Sequence, residues 1–472
     1  MLFNTLEYLV FFIVVLIVAW LLAGHRPVRN LFLLVASFYF YVSNNHWQIL
    51  LLLLTTTIDY FLCLKMEHER SHKRRKTLLV ISLVSNLGVL FYFKYYNFAG
   101  ASAAAFLSFL GVRMDWVDVN ILLPVGISFF TFEALSYTID VYRGDIKVER
   151  RWSRLAFLVS FFPHLIAGPI VRARQFFPQM DEKPRLDLKT LDEALYLIGA
   201  GLVKKLVLAD MLAIYADAAF NAAGTASQKD LLLGIYAFSF QIFFDFSGYS
   251  DIARGSAKLL GFELVVNFLR PYTAASLTEF WRRWHISFST WLRDYLYIPL
   301  GGNKMATRFG VYRNLFLTML LGGIWHGAAW HFVAWGVLHG LALMVERATG
   351  LGTSDAPMAF WRRLPRAILV FHVVTLIWVP FRANNIGDAV TMLRRLFLPD
   401  PSCCDTLTNG MAAVIAVTLG AWLWQMLTEY VDLRGRFLAL PVPMKAMAYA
   451  GVTVAVFVMT SEAPKSFLYF QF

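Results

Sequence analysis

Met319-Leu320-Leu321-Gly322-Gly323-Ile324-Trp325-His326-Gly327 carries an ionisable imidazole into a segment that otherwise reads as membrane. A titratable side chain at membrane depth is unfavourable, and where one occurs it marks a functional position by default. His326 can take and give a proton near neutral pH, which its leucine and tryptophan neighbours cannot. The glycines beside it let another backbone or a ligand come close. The stretch also admits a structural reading, a core histidine hydrogen-bonded to a neighbouring helix, and the rest of the chain has to decide between the two.

The composition around it is that of a polytopic membrane protein. Of 472 residues, 58% are hydrophobic and 16% charged, against roughly half and a quarter in soluble domains, and the mean hydropathy is +0.57. Apolar runs near the length that crosses about 30 Å of hydrocarbon recur along the whole chain. We therefore expect a single integral membrane domain over residues 1–472, with 445–472 forming the last span and an aromatic tail. Residues 9–22 lack a basic leader and a small-residue cleavage site, so they read as a retained span and not a signal peptide. The net charge of +12, from 43 Lys+Arg against 31 Asp+Glu, reports cytoplasmic loops and no nucleic-acid partner. Those loops would attract anionic headgroups or an anionic cofactor. Three cysteines exclude a disulfide framework: Cys403 and Cys404 read as free thiols in a loop, Cys63 as packing.

The positive-inside rule orders the spans. Arg26 and Arg29 follow the first span and put the N-terminus outside; residues 31–42 and 49–64 then lead back to the cytoplasmic cluster at Lys65, Arg70, Lys73, Arg74, Arg75 and Lys76. Residues 77–93 exit, 101–110 lie partly in the outer interface, and 121–142 return. Residues 155–171 are apolar but broken by Pro163, His164, Gly168 and Pro169, with basic residues at both ends, the pattern of a re-entrant segment. Residues 194–212 exit with Lys204 and Lys205 in their middle, which must face the interior or snorkel. Residues 231–246 return and deliver 245–251 to the inner side. A hairpin of 315–325 and 330–344 follows, with His326 toward its outer end. The remaining spans, 367–380, 412–427 and 446–460, bring the count to about twelve crossings, and only Arg394 and Arg395 then require an interfacial helix.

Chemistry concentrates in one run. Glu279-Phe280-Trp281-Arg282-Arg283-Trp284-His285-Ile286-Ser287-Phe288-Ser289-Thr290-Trp291-Leu292-Arg293-Asp294-Tyr295 mixes polar, aromatic and basic residues at a density no lipid-facing helix has. Such a surface suits a phosphorylated ligand with a stackable base; the competing reading is an interfacial helix whose arginines meet headgroups. His68-Glu69-Arg70-Ser71-His72 matches the zinc pattern H-E-x-x-H, but the neighbouring Lys73 to Lys76 would repel a dication, so no metal is expected. His331 and His339, five and thirteen residues beyond His326, do not share its helical face as metal ligands. They read as packing or supporting residues, with His331 a possible tuner of His326. Asp59, Asp140, Asp245 and Asp251 lie in or beside spans and should pair with an arginine or a helix N-terminus. The chain closes on Lys465-Ser466-Phe467-Leu468-Tyr469-Phe470-Gln471-Phe472, an aromatic anchor whose best nucleophile is the Tyr469 phenol, ordinary pKa about 10.

These segments resemble the membrane-bound O-acyltransferase family, and within it the bacterial branch that includes the alginate O-acetylation membrane subunit and subunits for peptidoglycan O-acetylation, cellulose acetylation and teichoic-acid D-alanylation. The resemblance is carried by Leu123-Pro124-Val125-Gly126-Ile127-Ser128-Phe129-Phe130-Thr131-Phe132, by Gly168-Pro169-Ile170 and by Phe244-Asp245-Phe246-Ser247-Gly248-Tyr249-Ser250-Asp251. It extends through the 279–295 run, Pro299-Leu300-Gly301-Gly302-Asn303 and Gly322-Gly323-Ile324-Trp325-His326-Gly327, and so covers nearly the whole chain.

The resemblance implies an all-α polytopic fold, a ring of helices with re-entrant segments and a funnel from each face meeting near the catalytic histidine. It implies that His326 is that histidine and His285 a second functional position. The implied donor is cytoplasmic acetyl-CoA, a substrate and not a resident cofactor; the acceptor is an extracytoplasmic polysaccharide such as alginate. The acetyl group would cross the inner membrane to a periplasmic serine-hydrolase-like (SGNH-type) acetyltransferase. The C-terminus resembles a motif that sits on a separate small subunit in D-alanylation, which would make Tyr469 an acyl relay. Trp284, Arg282, Arg293, Asp294, Trp325 and Asp245 are expected to line the substrate path. Two rivals are a transporter that forms no covalent bond, which inverted repeats would favour and none is evident, and a scaffold that would survive loss of both histidines.

Overall fold

In hydrocarbon every backbone N–H and C=O must find a partner within the protein, so long runs of leucine, valine and phenylalanine fold as helices. The computed structural model describes residues 3, 5–166, 168–352, 358–398, 407–459 and 467–468, and among these there is no strand. Six helices, His46–His68, His72–Phe109, Gln228–Leu259, Phe360–Arg382, Gly410–Thr428 and Val442–Met459, are long and apolar enough to cross a membrane, and Leu6–Leu21 is a shorter apolar helix. The protein is an all-α, multi-pass membrane protein. Contacts divide it into two units, Met1–Ala194 with Ala253–Val265, and Leu195–Ile252 with Val266–Phe472.

In the first unit the stretch 101–110, expected at the outer interface, instead continues a helix. His72–Leu90 passes through a π-helical turn, Phe91–Tyr95, into Tyr96–Phe109, because a π-turn absorbs an extra residue without ending the helix. The segment expected to be re-entrant is broken into Trp152–Ser160, Phe162–Leu165 and Ala173–Asp181. Its irregular backbone is covered by protein: Phe157, Phe161 and Phe162 are fully buried. Glu133 Oε1 accepts the Val171 amide at 3.0 Å and lies 3.0 Å from His164 Nδ1. Asp59 finds neither an arginine nor a helix end. Its carboxylate accepts from Ser82 Oγ at 2.5 Å and Asn86 Nδ2 at 2.9 Å on the adjacent helix. The zinc-like pattern is split, since Ile49–His68 ends on one histidine and His72–Leu90 begins on the other.

In the second unit Gln228–Leu259 runs straight through the 245–251 motif, which was expected to emerge at the inner surface. Lysines neutralise the carboxylates within the fold: Lys204 Nζ lies 2.6 Å from Asp251 Oδ2, and Lys205 Nζ 2.6 Å from Asp245 Oδ1. Both come from a π-helical turn, Val203–Ala209. The expected interfacial helix for Arg394 and Arg395 is Ile386–Phe397, which buries Ala389, Met392 and Leu396 on one side. Arg395 Nη1 donates to the Ala223 carbonyl at 3.2 Å.

The helices Arg308–His326 and Trp330–Thr349 form the expected hairpin. Their backbones nearly touch. A Cβ on Gly323 would stand 2.5 Å from the Phe332 carbonyl oxygen and 2.8 Å from Gly336 Cα, and one on Gly336 2.6 Å from the Met319 carbonyl oxygen. Small residues permit this approach, which is how helices associate without a hydrophobic drive. Gly323→Val should therefore force the hairpin apart, at the roughly 1–3 kcal/mol of an overpacked core. Thermal unfolding in detergent should show a melting temperature lowered by several degrees; an unchanged value would contradict the close approach.

Candidate active site

The helix Arg308–His326 stops at His326 because Gly327 leaves it in an extended conformation, φ −164°. Any Cβ at Gly327 would strike the Phe332 ring, 2.0 Å away. The turn sets the buried imidazole of His326 among four aromatic rings. Trp335 meets it edge-on at 4.9 Å and Phe381 at 5.2 Å, with Trp325 at 5.0 Å and Phe288 at 5.5 Å between ring centroids.

His285 occupies the corner between two short helices, Leu277–Arg283 and Ile286–Leu292, with φ +43° and ψ +56°. A left-handed conformation at a side-chain-bearing residue costs about 1–3 kcal/mol and persists only where surroundings over-determine it. Asn267 does much of that: its carbonyl accepts the Ile286 amide at 2.9 Å, and its Oδ1 accepts from Ser287 N at 3.1 Å and Ser287 Oγ at 2.9 Å. The start of the first short helix is capped by Ser276, whose Oγ accepts the Glu279 amide at 3.0 Å, while Glu279 accepts the Ala275 amide at 2.7 Å. The Glu346 carboxylate accepts the Leu277 amide, and the Thr278 amide at 3.0 Å. Burial pushes the His285 imidazole down to about 3, so it is neutral at pH 7 and offers no standing positive charge.

The two histidines share a wall. Phe288 and Trp325 stack at 4.2 Å, and each ring also touches His285, at 5.1 and 6.3 Å, as well as His326. Trp325 thus stands beside both imidazoles. Trp284 does not line this region. It is buried in the aromatic core, 5.0 Å from Trp378 and 5.1 Å from Phe268, and reaches the His326 cage through Trp378, which packs on Trp335 and Phe381. Arg282 is exposed, and so is Arg293, whose Nε lies 2.7 Å from Oδ1 of its own neighbour Asp294. Asp245 pairs with Lys205, and the next residue, Phe246, meets His285 edge-on at 4.6 Å. His331 Nδ1 is 3.0 Å from the Pro380 carbonyl, while His339 packs against Trp281 and Trp335. Tyr469, like Cys403 and Cys404, lies outside the described residues.

Arg283 is held by two carboxylates. Its Nη2 lies 2.6 Å from Glu279 Oε1, and its Nη1 pairs with Glu429. Arg363 Nη2 reaches Glu279 at 2.7 Å, and Arg270 Nη2 reaches Glu429 at 3.7 Å. Burial alone would raise the Glu429 carboxyl, but hydrogen bonds from Arg283 and Thr273 outweigh it and hold the group below its ordinary value. A lowered carboxylate contributes stability above its unfolded pKa and loses it as pH falls through the folded one. Glu429→Gln should therefore be less stable than the parent across the neutral range, and the gap between their melting temperatures should close only below about pH 4.5, the ordinary glutamate value. A gap that closes between pH 6 and 7 would contradict the bracing role.

Two buried histidines with a common aromatic wall thus stand in the second unit of a multi-pass membrane protein. The chain belongs to the membrane-bound O-acyltransferase family, which it matches over residues 36–381, and it is an O-acyltransferase. It is 43% identical over 398 residues to the probable alginate O-acetylase of Pseudomonas aeruginosa, covering 84% of this chain and 75% of that one. It is 36% identical over 367 residues to the peptidoglycan O-acetyltransferase of Helicobacter pylori, covering 71% and 67%. The teichoic acid D-alanyltransferase of Bacillus subtilis is 30% identical over 273 residues, covering 54% and 67%.

Proposed function

We propose that this O-acyltransferase takes acetyl from acetyl-CoA on the cytoplasmic side of a bacterial inner membrane and passes it outward for O-acetylation of a polysaccharide, alginate or a similar exopolymer. What supports the reading above all is His326 in its aromatic cage, in a chain with extended similarity to alginate O-acetylases. His326 is the general base. His285, across the Phe288–Trp325 stack, is the assisting or donor-side group, and it works as a neutral imidazole. Tyr469 is the acyl relay. Its phenol oxygen attacks the thioester carbonyl, the C–O bond forms as the C–S bond breaks, and the phenolic proton passes to His326 and on to the departing thiolate. The resulting aryl ester has a leaving group of pKa about 10, so it stays more reactive than a sugar ester. A serine-hydrolase-like partner outside then accepts the acetyl on its serine and restores the phenol.

The similarity to a peptidoglycan O-acetyltransferase favours a second acceptor, peptidoglycan, with the same chemistry on this chain. A purely non-covalent transporter does not fit an O-acyltransferase. Loss of a general base typically lowers rate by about 10² to 10⁴, so His326→Ala should insert normally and abolish acetylation of the polymer in cells. In the purified protein, thiol release from labelled acetyl-CoA should fall with it. Normal acetylation by His326→Ala would remove the mechanism.

A further inference from the structure

Asp245 is a carboxylate in the middle of a buried helix, and its two oxygens have different partners. Oδ1 takes Lys205 Nζ at 2.6 Å; Oδ2 accepts the backbone amide of Leu468 at 2.9 Å, 223 residues further along the chain. A charge buried this deeply must be paired, and Lys205 does that. The second oxygen could have been met by a neighbouring side chain. It is used instead to hold main chain near the carboxy terminus. The residues beside it fit the same purpose. The Phe467 ring packs 5.6 Å from Phe246 and 4.8 Å from Tyr249, one helical turn apart on Gln228–Leu259, and both Phe467 and Leu468 are buried. Phe246 also meets the imidazole of His285 edge-on, at 4.6 Å. Phe467 and Leu468 are thus anchored one aromatic ring away from His285.

We infer that Asp245, set by Lys205, is the docking point for this chain's own carboxy-terminal segment, and that it acts as a positioning residue for acyl transfer. The inference rests on the acyl-relay reading of Tyr469, which is the residue after Leu468. Consecutive Cα atoms are about 3.8 Å apart, so whatever fixes Leu468 limits the reach of the next side chain. A backbone amide is a suitable handle, because gripping it leaves the side chains of the tail available for chemistry. Removing the grip should leave the fold intact, since Lys205 Nζ keeps Asp210 Oδ1 at 2.9 Å as its counter-charge.

The test uses the full chain in detergent or nanodiscs, as wild type, Asp245→Ala and Asp245→Asn, with two readings on each. Amide hydrogen exchange of the terminal peptide reports docking; thiol release from acetyl-CoA reports turnover. In Asp245→Ala, exchange at Leu468 should accelerate by about tenfold or more and kcat fall by about tenfold or more, as misplacement of a reacting group would give. KM for acetyl-CoA should stay within about twofold, because donor binding is not altered. Asp245→Asn keeps an acceptor oxygen and should recover part of both. Phe467→Ala approaches the same contact from the tail, leaves the Lys205–Asp245 pair untouched, and should show the same two changes; it decides the matter if Asp245→Ala does not fold. Unchanged exchange in both Asp245→Ala and Phe467→Ala would overturn the docking. Accelerated exchange with undiminished kcat would overturn the positioning role. A wild-type protein that releases no thiol from acetyl-CoA would overturn the donor reading instead, and the exchange measurement would still decide whether Asp245 holds the tail.

Discussion

The site depends on how closely two helix backbones can approach. Gly323 and Gly336 bring the hairpin helices into near contact, and Gly327 lets the chain turn over the ring of Phe332. Only with that spacing does the end of Arg308–His326 bring the imidazole against Trp335 on one side and Phe381 on another. Aromatic rings are unusual surroundings for a titratable imidazole. They exclude water while fixing the plane of the imidazole through edge-to-face contacts worth about 0.5–1.5 kcal/mol each.

The other half of the site is held by polar means. His285 sits at a strained corner, and the strain is sustained by Asn267, which accepts from Ile286 and Ser287 just beyond it, by Glu346 under the start of Leu277–Arg283, and by the arginine–glutamate cluster at Arg283, Glu279 and Glu429. These groups act on the backbone around the corner. They set the backbone from which His285 projects, a division of labour expected where a functional group must be held rigidly. Phe288 and Trp325 join the halves, so a shift in either helix pair is felt at both histidines.

Much of this could be read in the sequence because the signals are local. The spacing of apolar runs located most of the helices, the tight link between 315–325 and 330–344 indicated the hairpin, and the density of Trp, Arg and His singled out the 279–295 run. What escaped is what depends on partners distant in the chain. Asn267, Glu346 and Glu429 are ordinary polar residues until folding brings them to the 277–287 corner. Arg282 and Arg283 cannot be told apart by composition, yet one is exposed and the other braced. The continuation of Gln228–Leu259 through Asp245 and Asp251 was hidden for a related reason: a run with two carboxylates looks like a membrane exit unless Lys204 and Lys205 are known to face it. Trp284 was expected near substrate on the strength of its neighbours in sequence, but its ring points into the core.

The account stands on His326 lying where the acyl group passes. The most direct measurement is a structure of the protein with a non-hydrolysable acetyl-CoA analogue, in which a methylene replaces the thioester sulfur. The account predicts the analogue's carbonyl beside the His326 imidazole, close enough to leave room for one attacking oxygen at a hydrogen-bond distance of about 2.6–3.2 Å from the ring. An analogue bound elsewhere, with the ring of His326 closed off from it by Trp335, Phe381 and Phe288, would contradict the account.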